Sequence, residues 1–310
     1  MKQAAALSAG ANIGVIAPGS PASPDRYNSG CDALSKLGFT AKAPLDPSAN
    51  YGKYEHGFAS DSVQARVSAI HQLAADDDVS VLVAARGAYG SLELLPHLDF
   101  DLLRNCGKPV VGYSDVTCLL LPLYGAGGKA VHGPTISKEF AEYYESEDSR
   151  KSVDELLKLL SDPKWQIKLN AKVLRNGAAQ GKIVAANLTA LTALLGTRWE
   201  VSLDGCILFL EDIGEAPFRI QRCLEHLRLT GQLNKLAGLV FGRFDRCEAK
   251  HGPSVDDVFD WFVTSMVPET TYPVLKDFPF GHNGLNIPLP LGSKAEIDSN
   301  QVKLLGLNPA

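Results

Sequence analysis

The sequence predicts an α/β protein of two lobes: an N-terminal open parallel βα sheet (Rossmann/flavodoxin-like) and a C-terminal mixed α/β lobe. Three observations carry this. Short apolar runs end repeatedly in glycine-bearing turns, at Pro18-Gly19-Ser20, at Arg86-Gly87-Ala88-Tyr89-Gly90 and at Gly112-Tyr113-Ser114. Such turns mark strands whose carboxyl ends feed helices in a parallel sheet, where binding sites form. Strand and helix patterns also alternate along the chain, whereas residues 287–305 are β-rich. The 310 residues suit two domains at roughly 100–200 residues each. We set an N-terminal α/β domain at 1–165, a linker at 166–176 and a C-terminal α/β domain at 177–310.

The elements follow in order. Residues 12–17 form a first strand ending in the Pro18-Gly19 turn, residues 27–38 a helix and 39–43 a second strand. A polar loop with Tyr51, Tyr54 and Phe58 comes next. Residues 60–75 are helical, because Val63, Val67, Ile70 and Leu73 recur every three or four positions. Residues 79–84 are a buried strand that enters a helix at 91–95 through the Arg86–Gly90 turn. Residues 109–111 are another strand, followed by a turn and a helix from Val116. Residues 130–134 give one more strand end, 139–160 a charged helical region, and 165–175 a linker with a strand. In the second half, residues 181–187 read as strand, 188–195 as helix, 206–210 as a wholly apolar strand and 217–229 as amphipathic helix. Residues 239–242 are a buried strand, and 255–266 a last helix.

Composition narrows the function. With 45% hydrophobic and 21% charged residues, the chain has ample material for a core. A net charge of −5, with both signs spread, excludes a basic groove for nucleic acid. Six cysteines without a C-x-x-C pair suit free thiols in a reducing compartment rather than a disulfide framework. Lys2 and the short apolar run after it make a weak signal peptide, and no run reaches the ~20 residues of a membrane span. The expectation is a cytoplasmic protein with no membrane partner.

Several residues offer chemistry. Ser114 sits at a tight strand-to-helix turn, the geometry of a nucleophile elbow, although Val116 stands where G-x-S-x-G has its second glycine. A capped turn explains the same four residues and is the commoner use of them. Glu211 and Asp212 end a five-residue apolar strand, and an unpaired buried charge is costly. On an extended backbone the two face opposite ways, so one can serve a site while the other caps a helix. Among seven histidines, His132 and His282 stand beside glycines at strand ends, and His56 lies in a loop able to cover a site. His71, His97, His226 and His251 read as structural or solvated. No metal-ligand spacing occurs.

Three stretches, residues 83–90, residues 111–117 and His132-Gly133-Pro134, together resemble the LD-carboxypeptidase (muramoyltetrapeptide carboxypeptidase) family. So do Asn187-Leu188-Thr189, Glu211-Asp212-Ile213-Gly214-Glu215 with Arg219 and Arg222, and Gly281-His282. The matches keep their order over nearly the whole chain. The chain departs from the family at Ala88, where the turn has a second glycine, and at Ala185-Ala186 before Asn187. The resemblance implies a serine peptidase with Ser114 as nucleophile, His282 as base and Glu211 as the carboxylate orienting it. Backbone N–H groups of Asp115 and of Gly87 or Ala88 would form the oxyanion hole, and Arg86 would steer the substrate carboxylate, a structural salt bridge being its other reading. It further implies release of terminal D-alanine from a muropeptide tetrapeptide during cell-wall recycling, no cofactor or metal, and a homodimer. The alternatives are a peptidase like the microcin-C immunity enzymes, acting on a peptidyl-nucleotide amide, and a non-catalytic two-lobed protein binding a small ligand.

Overall fold

The computed structural model describes residues 7–307 and divides the chain into two compact units, Met1–Pro163 and Lys164–Ala310. Most of the apolar run after Lys2 lies outside the described residues. Among the described residues no helix is long and apolar enough to cross a membrane. All six cysteines are free thiols.

In the first unit, strands β1 (Asn12–Ile16), β2 (Thr40–Lys42), β3 (Val79–Ala84), β4 (Val110–Gly112) and β5 (Ala130–His132) pair in the order β5-β4-β3-β1-β2, all parallel. The strands read as nearly continuous apolar runs because Ile13, Val15, Val81–Val83, Val110 and Val111 are buried among helices. Helix α1 (Pro24–Lys36) starts where Ser23 accepts the Arg26 N–H and Pro24 presets the first turn. Helix α2 (Val63–Ala75) is capped in the same way by Ser62 and buries Val67, Ile70 and Leu73. Helices α3 (Ser91–Leu94) and α4 (Phe100–Asn105) are short, and α5 (Thr117–Gly125) is buried along almost its whole length. The chain reverses direction across the sheet between β1 and β3. Ligands in such sheets bind outside the carboxyl ends of the strands at that reversal, and there the Pro18, Arg86 and Tyr113 turns emerge.

The charged region read as one helix from 139 to 160 is two elements. Residues Ile136–Phe140 form one π-helical turn, and α6 (Glu147–Ser161) begins only after Ser146 caps it. The second helix supplies the expected solvated face. The first turn is buried at Ile136, Glu139 and Phe140, for a reason taken up below.

In the second unit, β6 (Gln166–Asn170) and β7 (Lys172–Arg175) occupy the stretch expected as a linker and lie at opposite edges of an eight-stranded mixed sheet. β6 alternates exposed and half-buried residues and β7 buries none, as suits edge strands, and a single sequence does not separate such stretches from a polar connection. The centre is β8 (Ala178–Asn187), β9 (Cys206–Ile213), β10 (Gly238–Asp245) and β11 (Val274–Lys276), paired parallel. The two-residue β12 (Leu289–Pro290) precedes the antiparallel ladder of β13 (Lys294–Asp298) and β14 (Gln301–Leu305). Helices α7 (Leu188–Leu194), α8 (Pro217–Leu229) and α9 (Val255–Trp261) complete the unit. Phe241 stacks on Phe259 with ring centroids 4.0 Å apart, and Phe209, Phe278 and Phe280 form an edge-to-face cluster under β9. Such aromatic packing makes the carboxyl end of β9 a rigid platform.

Candidate active site

Ser114 leaves β4 in the left-handed region, at φ +63°, although it is not glycine. Backbone held there costs on the order of 1–2 kcal/mol, so a serine in this position points from strain towards function. It opens the short turn Ser114–Val116 that runs into α5. Asp115 ties this turn to the next one: its Oδ2 accepts the Ser91 N–H at 2.9 Å, at the start of α3. Burial pushes the Asp115 carboxyl above the ordinary 3.8, opposed by its hydrogen bonds to Ser91 and Gly90 and by Arg66.

The Arg86–Gly90 turn lies against the serine turn. A Cβ on Gly87 would sit 3.0 Å from Tyr113 O, 3.1 Å from Ser114 Cβ and 3.3 Å from Asp115 N, so glycine lets the two turns meet where a side chain would push them a few tenths of an ångström apart. Gly87 O accepts the Ser20 N–H at 2.9 Å, and the trans peptide then turns the Ala88 N–H the opposite way. Ala88 has φ +74°, a left-handed backbone natural to glycine, so the turn carries an alanine at a cost in strain. Buried Arg66 fastens the same turn from behind, donating through Nη1 to Pro18 O (2.8 Å) and Gly90 O (2.9 Å) and through Nη2 to Glu93 (2.7 Å). Arg86 itself is exposed and donates to Pro21 O at 2.9 Å.

In the second unit Glu211 is fully buried, and its Oε2 lies 2.6 Å from His282 Nδ1. The strand does not stop at Leu210 but continues through Glu211 and Asp212 to Ile213. The two acids divide as alternation requires. Glu211 meets the histidine, while Asp212 Oδ2 accepts the Thr189 N–H (2.9 Å) and Oγ1 (2.7 Å) at the start of α7. Asp212 therefore caps the helix before it in the chain, not the one after; α8 starts from Ala216 with no side-chain cap. Asn187 donates to both acids, at 3.3 Å to Glu211 Oε1 and 2.8 Å to Asp212 Oδ1, and its own Oδ1 caps α7. Burial, and then the charge of Glu211, raises the Asp212 carboxyl above its usual value. His282 follows Gly281, whose φ is +112° and where a Cβ would lie 2.9 Å from Glu211 Oε2. Buried Asn286 holds this bend by accepting the Gly281 N–H at 3.1 Å.

The remaining candidates fall elsewhere. His71 Nε2 accepts the Asp99 N–H at 2.9 Å, a structural role. His56 lies 3.4 Å from Asp61. His132 is buried, with its ring 5.7 Å from that of Tyr113. Burial pushes the Cys118 thiol up to about 12, so at neutral pH it is no nucleophile despite its closeness in sequence to Ser114. Among the described residues no group of three or more His, Cys, Asp or Glu is arranged to hold a metal ion.

The comparisons with known proteins bear on these two constellations. Residues 13–133 match the family model described as the LD-carboxypeptidase N-terminal domain, and residues 180–297 match the LD-carboxypeptidase C-terminal domain. The chain belongs to the LD-carboxypeptidase family. It is 30% identical over 298 residues to the probable murein peptide carboxypeptidase of Bacillus subtilis (strain 168), covering 95% of this chain and 91% of that one. It is 27% identical to the microcin C7 self-immunity protein MccF of Escherichia coli, over 95% and 92% of the two chains. The crystal structure of muramoyltetrapeptide carboxypeptidase from Oxalobacter formigenes superposes with a TM-score of 0.84 at 27% identity, covering 96% of this chain and all of that one.

Sequence reasoning missed Asn187 as a bridge between the two acids. Its signal was available: an asparagine at the end of one strand, in register with the glutamate of the next. Asn286 and the strained alanine at 88 gave no such signal.

Proposed function

We propose that the protein is a serine carboxypeptidase that cleaves the L,D-amide bond before the terminal D-alanine of muropeptide tetrapeptides. The observation that carries this reading is the 2.6 Å contact between buried Glu211 and His282 Nδ1. With Nδ1 so engaged, Nε2 is the nitrogen that would act as base, and a carboxylate held this way stabilises the imidazolium that forms. Ser114 Oγ would attack the scissile carbonyl while His282 takes its proton. The tetrahedral oxyanion would be received by the N–H of Asp115 and by that of Gly87 or Ala88, donors already fixed by their neighbours. Loss of one such donor typically costs about 2.7–4 kcal/mol in the barrier. Collapse breaks the C–N bond, His282 protonates the departing amine of D-alanine, and water then hydrolyses the acyl-serine. Arg86 would pair with the terminal carboxylate of the substrate, a match of two parallel hydrogen bonds. No cofactor enters this chemistry. In the cell the enzyme would act as a cytoplasmic homodimer in recycling of wall fragments.

Likeness to the microcin immunity protein supports a second reading, hydrolysis of a peptidyl-nucleotide amide at the same serine. Incubation with defined tri-, tetra- and pentapeptides and with a peptidyl-nucleotide amide separates the two. D-Alanine release from the tetrapeptide alone is the expected result, and Ser114→Ala should abolish it without loss of fold. Full activity of that variant would sink the proposal. A serine-reactive phosphonate that labels nothing would favour a non-catalytic binding protein.

A further inference from the structure

Glu139 is a buried carboxylate for which the mechanism above has no use. It is 1% exposed and stands on the single π-helical turn Ile136–Phe140. Isolated π turns are rare and gather at functional sites, because the extra residue re-aims a side chain. Here the turn directs Glu139 beneath the nucleophile. Its Oε1 accepts the Tyr113 hydroxyl at 3.0 Å, and its Oε2 accepts the Thr135 N–H at 3.0 Å and Oγ1 at 3.4 Å. Tyr113 is the residue immediately before Ser114; it is buried, and its backbone is extended at φ −157°. The chain therefore passes from an anchored extended residue to one at φ +63° in a single step.

The same segment is bound to the other turn of the first-unit site. Ser137 N–H donates to Ala85 O at 3.0 Å, next to Arg86, and Gly133 N–H donates to Gly112 O at 3.0 Å, just before Tyr113. Gly30 of α1 packs so closely on Ile136 that a Cβ there would fall 2.1 Å from Ile136 O, which leaves the turn no room to relax. Burying a carboxylate is costly unless hydrogen bonds compensate it, and here Tyr113 and Thr135 supply them. A neutral glutamine has one acceptor oxygen for two donors, so it keeps Thr135 only by turning its amide NH2 towards the Tyr113 oxygen, which replaces the carboxylate's bond with a weaker neutral one.

We propose that Glu139 is a positioning residue for Ser114, acting through its hydrogen bond to Tyr113 to hold the serine in its left-handed conformation. The proposal rests on Ser114 being the nucleophile. Two variants test it, Tyr113→Phe, which removes only the hydroxyl, and Glu139→Gln, together with their double mutant. Each should lower kcat for tetrapeptide cleavage by about 10–100-fold, the scale of a misplaced reacting group, with KM nearly unchanged. The double mutant should be no slower than the slower single one, since both break the same link. Labelling of Ser114 by a small phosphonate should slow in parallel, although that reagent needs no peptide subsite. Should Glu139→Gln fail to fold, Tyr113→Phe alone decides. Wild-type kcat and labelling rate in a folded Tyr113→Phe protein would overturn the proposal, as would strictly additive effects. If the wild type releases no D-alanine but is labelled at Ser114, the substrate reading fails while the labelling rates still decide this one. If the wild type is not labelled, both fall.

Discussion

Gly281→Ala probes the histidine–carboxylate pair without touching either partner. Alanine there meets two penalties. At φ +112° an L-residue is strained by roughly 1–3 kcal/mol, and its methyl would sit 2.9 Å from Glu211 Oε2, 3.0 Å from Cβ and 3.2 Å from Cγ. Glu211 is fully buried, so it has no solvent-side space into which to withdraw, and the contact it would surrender is the one to His282. Displacement of a reacting group by about 1 Å costs on the order of 100-fold, and complete loss of the orienting carboxylate about 10⁴-fold. The expected kcat for D-alanine release therefore falls between about 100-fold and 10⁴-fold, with a thermal midpoint lowered by roughly 2–4 °C per kcal/mol of strain. Gly205→Ala is the control. Its φ of +69° carries strain, but nothing lies within 4 Å of its Cβ, so it should lower the melting point and leave kcat intact. The reasoning fails if Gly281→Ala turns over at the wild-type rate, or if Gly205→Ala loses as much activity.

Three further outcomes are expected. Ser114→Gly should be inactive yet melt above Ser114→Ala by an amount equivalent to about 1 kcal/mol, because glycine relieves the strain at φ +63° that alanine retains; equal midpoints by calorimetry would argue against stored strain. Ala88→Gly should raise the melting point modestly and keep or increase kcat, since its φ of +74° is natural to glycine; a loss of activity would mean that the alanine methyl has a task of its own. Asp212→Asn should remove one contribution to the pH dependence of stability on the acid side, the one that favours the folded state at low pH. A carboxyl whose folded pKa is raised above the unfolded value of 3.8 holds its proton more tightly when folded. Its contribution is thus greatest below that unfolded value and is lost as pH rises through the folded one. Melting curves across this window should show the wild type losing stability relative to Asp212→Asn as pH rises, whatever the offset between them.

The strand ends were legible in sequence because a buried parallel strand is an unbroken apolar run, and its glycine turn interrupts that run sharply. Glu211 was legible for the same reason, as a charge where Cys206–Leu210 had set an apolar pattern. Edge strands lack that contrast: β6 alternates exposed and half-buried residues and β7 has no buried one, so residues 165–175 read as a linker with one strand rather than as two strands. The π turn was hidden because Glu139 looks like the first of many surface acids. Only its hydrogen bonds to Tyr113 and Thr135 separate it from Glu145 and Glu147. Backbone sign is equally silent in a single letter, and nothing in Ala88 or Ser114 declares a positive φ. The Asn187 bridge depends on register, a property of two strands together.

That register has a consequence for how the chain can go wrong. Asn187 lies opposite Glu211 in the β8–β9 ladder, and side chains change face at every residue of a strand. A slip of one position in β9 would therefore move both acids to the opposite face in a single stroke, bringing the aspartate to the place of the glutamate opposite Asn187 and the glutamate to the place of Leu210. Aspartate is a methylene shorter and would fall short of the imidazole. Such a mispaired chain could bury nearly the same apolar surface and still be silent. Insertions and deletions should then be far more damaging within β9 than in the β13–β14 ladder at the sheet margin, even where both fold.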